Sequence, residues 1–422
     1  MTKKIGLSVA AAALLASTHV VAAENLSEAF TNAKMTGTAQ LFYQSMDGGL
    51  GTNATGTADE DISITDRAAS DATAGLTIKL VTEEYNGLTL GMSYVYLNTL
   101  GLEHNMVEGV VNTPAGSANN EEANTLNGGY FSEFYLQKAI GKTIVKVGNQ
   151  EIHTPLVNSD MWAVAPNTFG AGVLINQDIE GITLVAAHVA TEKTRTGAQF
   201  STFYANGADA FGAVINSIDK TPIQVWYYSA EQTATALYAD VKADLGDFKI
   251  AAQYGSIMPS DFGGGNADDT TALGLKVSAN VGADVWLAAS QVGGDAGTGS
   301  LNFTNLGDGG TKTPLFTQTS ISSDGDIVGA TDTTSISIGA SMKMDAHTLS
   351  AQYVTSDHGD KSSAKTATGD NSTTIELRAV SGWSDTTKTF LALGQYDHTV
   401  GFFNGEADTA NTFMRFWMKY SF

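Results

Sequence analysis

The sequence predicts an all-β chain folded as a transmembrane antiparallel barrel of about eighteen strands. Three observations predict it. Apolar and polar residues alternate with period two in segments of about ten residues, the connections alternate long and short, and the chain opens on an export-type leader.

The leader comes first in the chain. Lys3 and Lys4 give a positive start, Ile5–Ala16 is apolar, and Val21-Ala22-Ala23 places small residues just before Glu24. That order of features defines a cleavable signal peptide over 1–23. A buried helix is the alternative for Ile5–Ala16, but the basic start and small-residue end favour export. Residues 24–34 then form a short periplasmic lead, and 35–422 the barrel domain. Losing Lys3 and Lys4 with the leader takes the formal net charge from −22 to −24.

Composition narrows the class. There is no Cys, so an exported chain of 422 residues must hold together by burial and backbone pairing. Beyond the leader no run approaches the ~18 apolar residues of a spanning helix, which excludes a helical membrane protein. Gly is plentiful (45) and Pro scarce (6), yet aromatic and β-branched segments interrupt the polar stretches too regularly for disorder. The acidity excludes a nucleic-acid partner, whose phosphates require clustered Lys and Arg.

The alternation fixes both the strands and their faces. Gly37, Ala39, Leu41 and Tyr43 alternate with Thr36, Thr38, Gln40 and Gln44; Leu88, Leu90, Met92, Tyr94 and Tyr96 alternate with Thr89, Gly91 and Ser93. The same pattern recurs in Leu273, Leu275 and Val277 and in Ile336, Ile338, Ala340 and Met342. A tilted strand with one face to lipid and one to water requires this period. The expected strands are 35–46, 72–81, 88–98, 129–140, 143–151, 168–176, 182–190, 209–217, 222–230, 234–244, 248–257, 270–280, 284–292, 334–344, 347–355, 372–381, 387–397 and 411–422. Sixteen is the alternative count.

The connections form a separate test, because outer-membrane barrels have long outside loops and short periplasmic turns. The stretches 47–71, 99–128, 152–167, 191–208, 258–269, 293–333, 356–371 and 398–410 are long, and those between them are short. Only 231–233 departs from the rule. Charges gather on the face away from lipid, among them Lys79, Lys146, Asp240, Lys242, Lys276, Lys343, Glu376, Arg378, Arg415 and Lys419. A hydrated lumen accounts for them, whereas a dry sandwich core would not tolerate them. Asp240, Lys276, Glu376, Arg378 and Arg415 are therefore candidate pore-lining residues. Lys138 is the clearest charge on the lipid face, near a strand end from which its long stem reaches the interface.

The final segment places Thr412, Met414, Phe416, Met418, Tyr420 and Phe422 on one face and Phe413, Arg415, Trp417 and Lys419 on the other. With the leader and the periodicity, a terminal Phe in such a strand resembles the signal read by outer-membrane assembly machinery, which makes Phe422 the expected contact with that partner.

Two stretches resemble the major outer-membrane porins of Campylobacter-type bacteria, within the wider OprD-like porin superfamily. One is Asn25-Leu26-Ser27-Glu28-Ala29-Phe30 through Gly37 and Tyr43. The other, more specific, is GNQEIHTPLVNSDMWAVAPNTFGAGVLINQDIEGITLVAAHV, from Gly148 to Val189. The resemblance implies a passive diffusion pore in the outer membrane, trimeric, with its third loop folded inward. His153, Asp160 and Trp162 would then sit in the constricting loop, with Pro155 and Pro166 stiffening its ends. No Lys or Arg occurs between Lys146 and Lys193, which is a departure from the basic residues of the family pattern.

Other motifs are weak. Gly141-Lys142-Thr143 resembles the end of a phosphate-binding loop, but Leu136 stands where its first Gly belongs. Phe169-Gly170-Ala171-Gly172 fails as a dinucleotide fingerprint at Ile175. Asp324-Gly325-Asp326 lacks the later ligands of an EF-hand and reads as a solvated acidic loop. The seven His show no paired metal spacing, and no motif calls for a cofactor. The expected function is a water-filled channel for ions and small hydrophilic solutes, leaning towards cations because Asp59, Glu60, Asp61, Asp66, Asp71, Glu103, Glu108, Glu121 and Glu122 crowd the outside loops. The alternatives are a barrel enzyme with its nucleophile at the rim, and a surface adhesin or structural protein.

Overall fold

A computed structural model describes residues 23–46, 64–65, 70–98, 100, 128–160, 164–194, 199–260, 267–307, 312–319, 325–365, 369–397 and 411–422. Residues 1–22 of the expected leader, the side chains of the acidic residues just named, Asp324 and Trp162 lie outside them.

Eighteen strands form the barrel wall. In chain order they are β1 (Lys34–Met46), β2 (Ser70–Val81), β3 (Leu88–Asn98), β4 (Gly128–Ile140), β5 (Thr143–Gln150), β6 (Thr168–Asn176), β7 (Ile182–Lys193), β8 (Ala208–Ile215) and β9 (Ile223–Ala230). There follow β10 (Ala234–Asp244), β11 (Phe248–Pro259), β12 (Thr270–Asn280), β13 (Asp284–Val292), β14 (Thr333–Met344), β15 (His347–His358), β16 (Asn371–Gly382), β17 (Thr387–Tyr396) and β18 (Asn411–Ser421). The eighteen strands expected from alternation are present, and five spans coincide at both ends: 88–98, 168–176, 234–244, 270–280 and 284–292. A two-residue strand, Ser201–Thr202, is additional and pairs with Thr191 and Glu192 of the lengthened β7.

Each strand is antiparallel to its neighbours in sequence, and β1 also pairs with β18, with Tyr43 opposite Phe416 and Gln44 opposite Arg415. Two further bonds extend the seam, from Gly37 N to Phe422 O and from Phe422 N to Gly37 O, at 2.8 and 2.9 Å. The sheet therefore has no edge, which hydrocarbon demands because an unpaired backbone N–H or C=O finds no water there. Among the described residues no helix is long and apolar enough to cross a membrane.

Turn chemistry sets the short connections. Asn86 and Gly87 both have positive φ, 52° and 78°, between β2 and β3. That pair of left-handed residues suits the right-handed twist of a tight hairpin. The lead before β1 contains a short helix, α1 (Leu26–Thr31). Asn25 caps it by accepting from Glu28 N at 2.9 Å, and Glu28 accepts in turn from Glu24 N at 2.7 Å.

The two faces of the wall differ as the period requires. Leu41, Leu136, Val147, Leu275, Leu287, Ile338 and Leu377 are exposed on the outside. Their strand neighbours Gln40, Tyr135, Lys146, Ala288, Ser337 and Glu376 are buried on the inside. The inside is itself divided. From β5 to β12 it carries an apolar cluster that includes Ile175, Trp226, Tyr228, Tyr238 and Ile257. From β14 through β18 to β1 it carries Ser335, Ser337, Gln352, Thr374, Glu376, Arg415 and Gln44.

The wall's parity has a direct test. Leu275→Arg turns a charge to lipid and is expected to destabilise the barrel by about 2–4 kcal/mol near the midplane. Lys276→Leu, one residue on, is expected to leave stability within about 1 kcal/mol, since it faces the lumen. Urea unfolding in lipid vesicles measures both, and equal penalties at the two positions would overturn the parity.

Candidate functional site: a waist built by two inward loops

Two outside loops turn back into the barrel. The first follows β5; its described residues, 151–160 and 164–167, lie inside the barrel and lead to β6. Leu156 and Val157 are buried against the apolar wall, and Leu156 N donates to the Tyr228 hydroxyl of β9 at 3.3 Å. Val164 and Ala165 pack instead with Phe42 of β1 and Val95 and Leu97 of β3. One loop thus touches separate parts of the wall. Its apolar sequence is explained by this packing.

The described residues of the second loop, 293–307, 312–319 and 325–332, lie along the wall from β11 to β15. Phe303 is fully buried over Gly255, where a Cβ would sit 1.9 Å from its ring. Gly255 is therefore required by the close approach, as any side chain would lift the loop off the wall. Gln253 donates to Pro314 O at 3.0 Å and accepts from Phe316 N at 2.8 Å, and Gln352 donates to Gln318 O at 3.2 Å.

The loops are latched to one another. Asn158 N donates to Asn305 Oδ1 and Asn305 Nδ2 donates to Asn158 O, both at 3.0 Å. Leu306 N donates to Leu156 O at 2.7 Å, and Lys312 Nζ meets Asp160 Oδ1 at 2.8 Å. Asn167 ties the far end down by donating to Glu192 Oε1 at 2.8 Å. Tyr204, between β7 and β8, donates to Leu306 O at 3.1 Å; burial, with the charge of Glu192, pushes its phenol up to about 12.

His153 and Asp160 both belong to this assembly. His153 lies 3.3 Å from Asn158 Oδ1 and from Glu151 Oε2 through its two ring nitrogens. Asp160 is buried against Lys312. Burial acts to raise the Glu151 carboxyl, but the His153 hydrogen bond and the charges of Lys79, His153 and Lys146 outweigh it and hold the group below its ordinary range.

The other candidates sit on the inner wall. Asp240 of β10 accepts from Gln224 Nε2 at 2.6 Å, from the Tyr238 hydroxyl at 3.0 Å and from Lys242 Nζ at 3.3 Å. Glu376 of β16 is fully buried with its Oε1 2.8 Å from Arg378 Nε. Arg415 of β18 donates from Nε and Nη2 to Gln44 Oε1 at 2.8 and 2.6 Å. Lys276 of β12 lies 4.9 Å from the Trp286 ring centre and stays partly exposed. These five are not one hydrogen-bonded cluster: Glu376 and Arg378 pair with each other, Lys276 lies within electrostatic reach of Arg378 and of the Lys242 that meets Asp240, and Arg415 is held separately by Gln44.

Sequence reasoning overlooked Glu133, Asn305 and Lys312. Glu133 is buried on β4, 2.5 Å from Lys79 Nζ and 4.0 Å from Lys146 Nζ, and Lys146 also lies 3.7 Å from the Tyr135 ring centre. Its inward parity was a readable signal. Asn305 and Lys312 carried none, because they reach the waist through contacts more than a hundred residues apart in sequence.

A closed eighteen-strand antiparallel wall with loops folded into its lumen defines the class of large transmembrane β-barrels. Residues 131–324, somewhat under half of the chain, match the family described as outer membrane porin, OprD family. Acinetobacter baumannii OccAB3 has a similar structure, with a TM-score of 0.73 at 14% identity over 93% of this chain and 99% of that one. Pseudomonas aeruginosa OpdK, solved with vanillate, gives 0.70 at 14% over 93% and 99%. Pseudomonas aeruginosa OccK2 (OpdF), in complex with glucuronate, gives 0.67 at 15% over 93% and 98%. At these identities the likeness is one of fold. No curated protein matches the sequence.

Three outcomes are expected of the waist. Removing residues 156–164 raises single-channel conductance in a planar bilayer, and unchanged conductance with an intact barrel would sink the constriction. Asp160→Ala and Lys312→Ala, alone and together, shift the lifetimes of closed and open levels with a coupling on the order of 0.5–3 kcal/mol. Acid loosens the same loop. The lowered Glu151 carboxyl contributes stability that is fully present above its ordinary value near pH 4 and is lost as pH falls through its lowered value. Current noise is therefore expected to grow below about pH 4, less so in Glu151→Gln.

Proposed function

We propose that the protein is an outer-membrane porin of the OprD kind, a passive channel for ions and small hydrophilic solutes rather than an enzyme or an adhesin. The observation that carries this reading is the latched pair of loops inside a closed barrel, because an adhesin or rim enzyme has no use for a shaped internal waist. Matching of residues 131–324 to the porin family supports it. His153, Asp160, Trp162, Asp240, Lys276, Glu376, Arg378 and Arg415 line or narrow the path. Residues 1–23 direct export, Phe422 is read by the assembly machinery, and the working form is a homotrimer. The narrower likeness to Campylobacter-type porins rests on residues 25–43 and 148–189.

Selectivity for small ions follows from the mouth. The mature chain carries 44 acids against 20 Lys and Arg, while most inner-wall acids that the structure describes are paired. A negative mouth concentrates cations at low ionic strength and loses its reach as the Debye length shrinks to about 3 Å at 1 M salt. For organic solutes one observation favours a second reading: Lys276, Arg378 and Lys419 stay partly exposed on the inner wall, and two structural neighbours were solved with the carboxylates vanillate and glucuronate. Here the waist, not the mouth, recognises the solute, through charge-assisted hydrogen bonds to its carboxylate.

Purified protein in a planar bilayer is expected to give stable ion steps. Under a tenfold KCl gradient at low ionic strength the reversal potential takes the sign of cation preference, which shrinks towards zero near ~1 M. A chloride-preferring sign at low salt refutes the mouth argument. Glucuronate added on one side is expected to interrupt the current, and less often in Arg378→Gln; equal blocking in both rules out the second reading.

A further inference from the structure

His188 and Asp209 form a hydrogen-bonded pair on the outside of the barrel, where the wall is otherwise built for hydrocarbon. His188 Nδ1 lies 2.9 Å from Asp209 Oδ1, and the two side chains are 56% and 50% exposed. His188 is well inside its strand, six residues from Ile182 at the periplasmic end of β7 and five from Lys193. The hydrogen-bonded row through it runs Leu136, Val147, Gly172, His188, Asp209. Leu136, Val147 and, beside Asp209, Phe211 are exposed apolar side chains of the same outer face. Asp209 is the second residue of β8, and elsewhere among the described residues outward charge likewise keeps to strand ends, as at Lys138 and Asp357, which leaves His188 as the group set within a strand. Ionisable groups facing lipid within a strand are costly and call for a partner.

We infer that the outer face of β6–β8 is where a second copy of this chain docks, closing over the His188–Asp209 pair. This rests on the porin reading, which puts the barrel in lipid and its copies side by side. The pair is complementary to itself. Once Nδ1 is engaged with Asp209 Oδ1, His188 Nε2 and Asp209 Oδ2 have no hydrogen-bond partner among the described residues. In a closed ring of copies, a His188 protonated on both ring nitrogens can bridge Asp209 of its own barrel and Asp209 of the next, satisfying every pair alike.

The surroundings permit that approach. Gly172, Ala186, Ala190 and Ala213 face outward around the pair, and a Cβ at Gly172 would meet nothing within 4 Å. Gly172 and Ala186 line a shallow depression of about 290 Å³ bordered by Val147, Leu174 and Phe211. Small residues let neighbouring backbones come close in a membrane, where the solvent itself gives apolar faces no drive to associate. The outer face of β12–β14, with Leu273, Leu275, Leu287, Ile336 and Ile338, is large and apolar between its ends, as suits acyl chains. An anionic lipid headgroup is a poor occupant of the depression, because it would meet the Asp209 carboxylate.

Native mass measurement of the full chain in lipid nanodiscs tests the assignment. Wild type and Leu287→Trp, a control on the outer face of β12–β14, are expected to run as oligomers. Gly172→Trp, which fills the depression, and Asp209→Leu, which removes the acceptor, are expected to shift most of the population to monomers. Each monomer should keep the conductance of one wild-type barrel. Oligomers retained by both variants, a monomeric wild type, or a monomer carrying lipopolysaccharide on this face would overturn the docking surface. Lack of ion steps in every sample, wild type included, would instead count against the porin reading and leave the mass data to decide the interface.

Discussion

Hydrocarbon leaves a backbone N–H or C=O nowhere to turn except to another backbone, and that constraint organises the whole molecule. It forces β1 to meet β18, so that Gln44 stands beside Arg415 and the last residue bonds to Gly37. Closure in turn creates two unlike faces from one period of two. Every inward charge, from Lys79 and Glu133 to Glu376 and Arg378, depends on the register that closure locks, because a slip of one residue would deliver it to lipid.

Within that frame the lumen is shaped by division of labour. The half from β5 to β12 offers apolar side chains and glycine clearances, and the loops bind there by packing and backbone bonds. The half from β14 to β1 keeps its polar groups, and the loops leave Arg378 there and Lys276 of β12 partly open to water. Most of the loop packing lies on the apolar side, with smaller footholds at Gln352 of β15 and at Phe42, Val95 and Leu97 of β1 and β3. Ion pairs such as Asp160–Lys312 tie the loops without adding net charge to the path, which separates the structural charges from those a solute would meet.

Most of the wall was legible in the sequence, since alternation is local and repeats in each strand. It failed where the ladder itself is irregular. Counting back from outward Phe134 by twos would place Phe131 inside, but a bulge opposite Ser93 and Tyr94 turns it out, and Phe131 stacks edge-on against Tyr94. The loop 151–167 could be read as inward from its apolar content, yet its partners could not. Asn305 and Lys312 lie in a stretch rich in Gly, Thr and Asn that reads as ordinary outside loop. His188 and Asp209 were assignable to the outer face by parity, but that they touch one another follows only from the pairing of β7 with β8.

The latch between the loops also orders events in time. Hairpin contacts join residues a few positions apart, whereas Asp160 meets Lys312 across 152 positions and requires β6 to β13 to be in place beforehand. Loop-closure entropy makes such a contact late. Phe303 over Gly255 closes a much shorter stretch of chain, so the second loop has a nearer foothold on the wall than the latch itself offers.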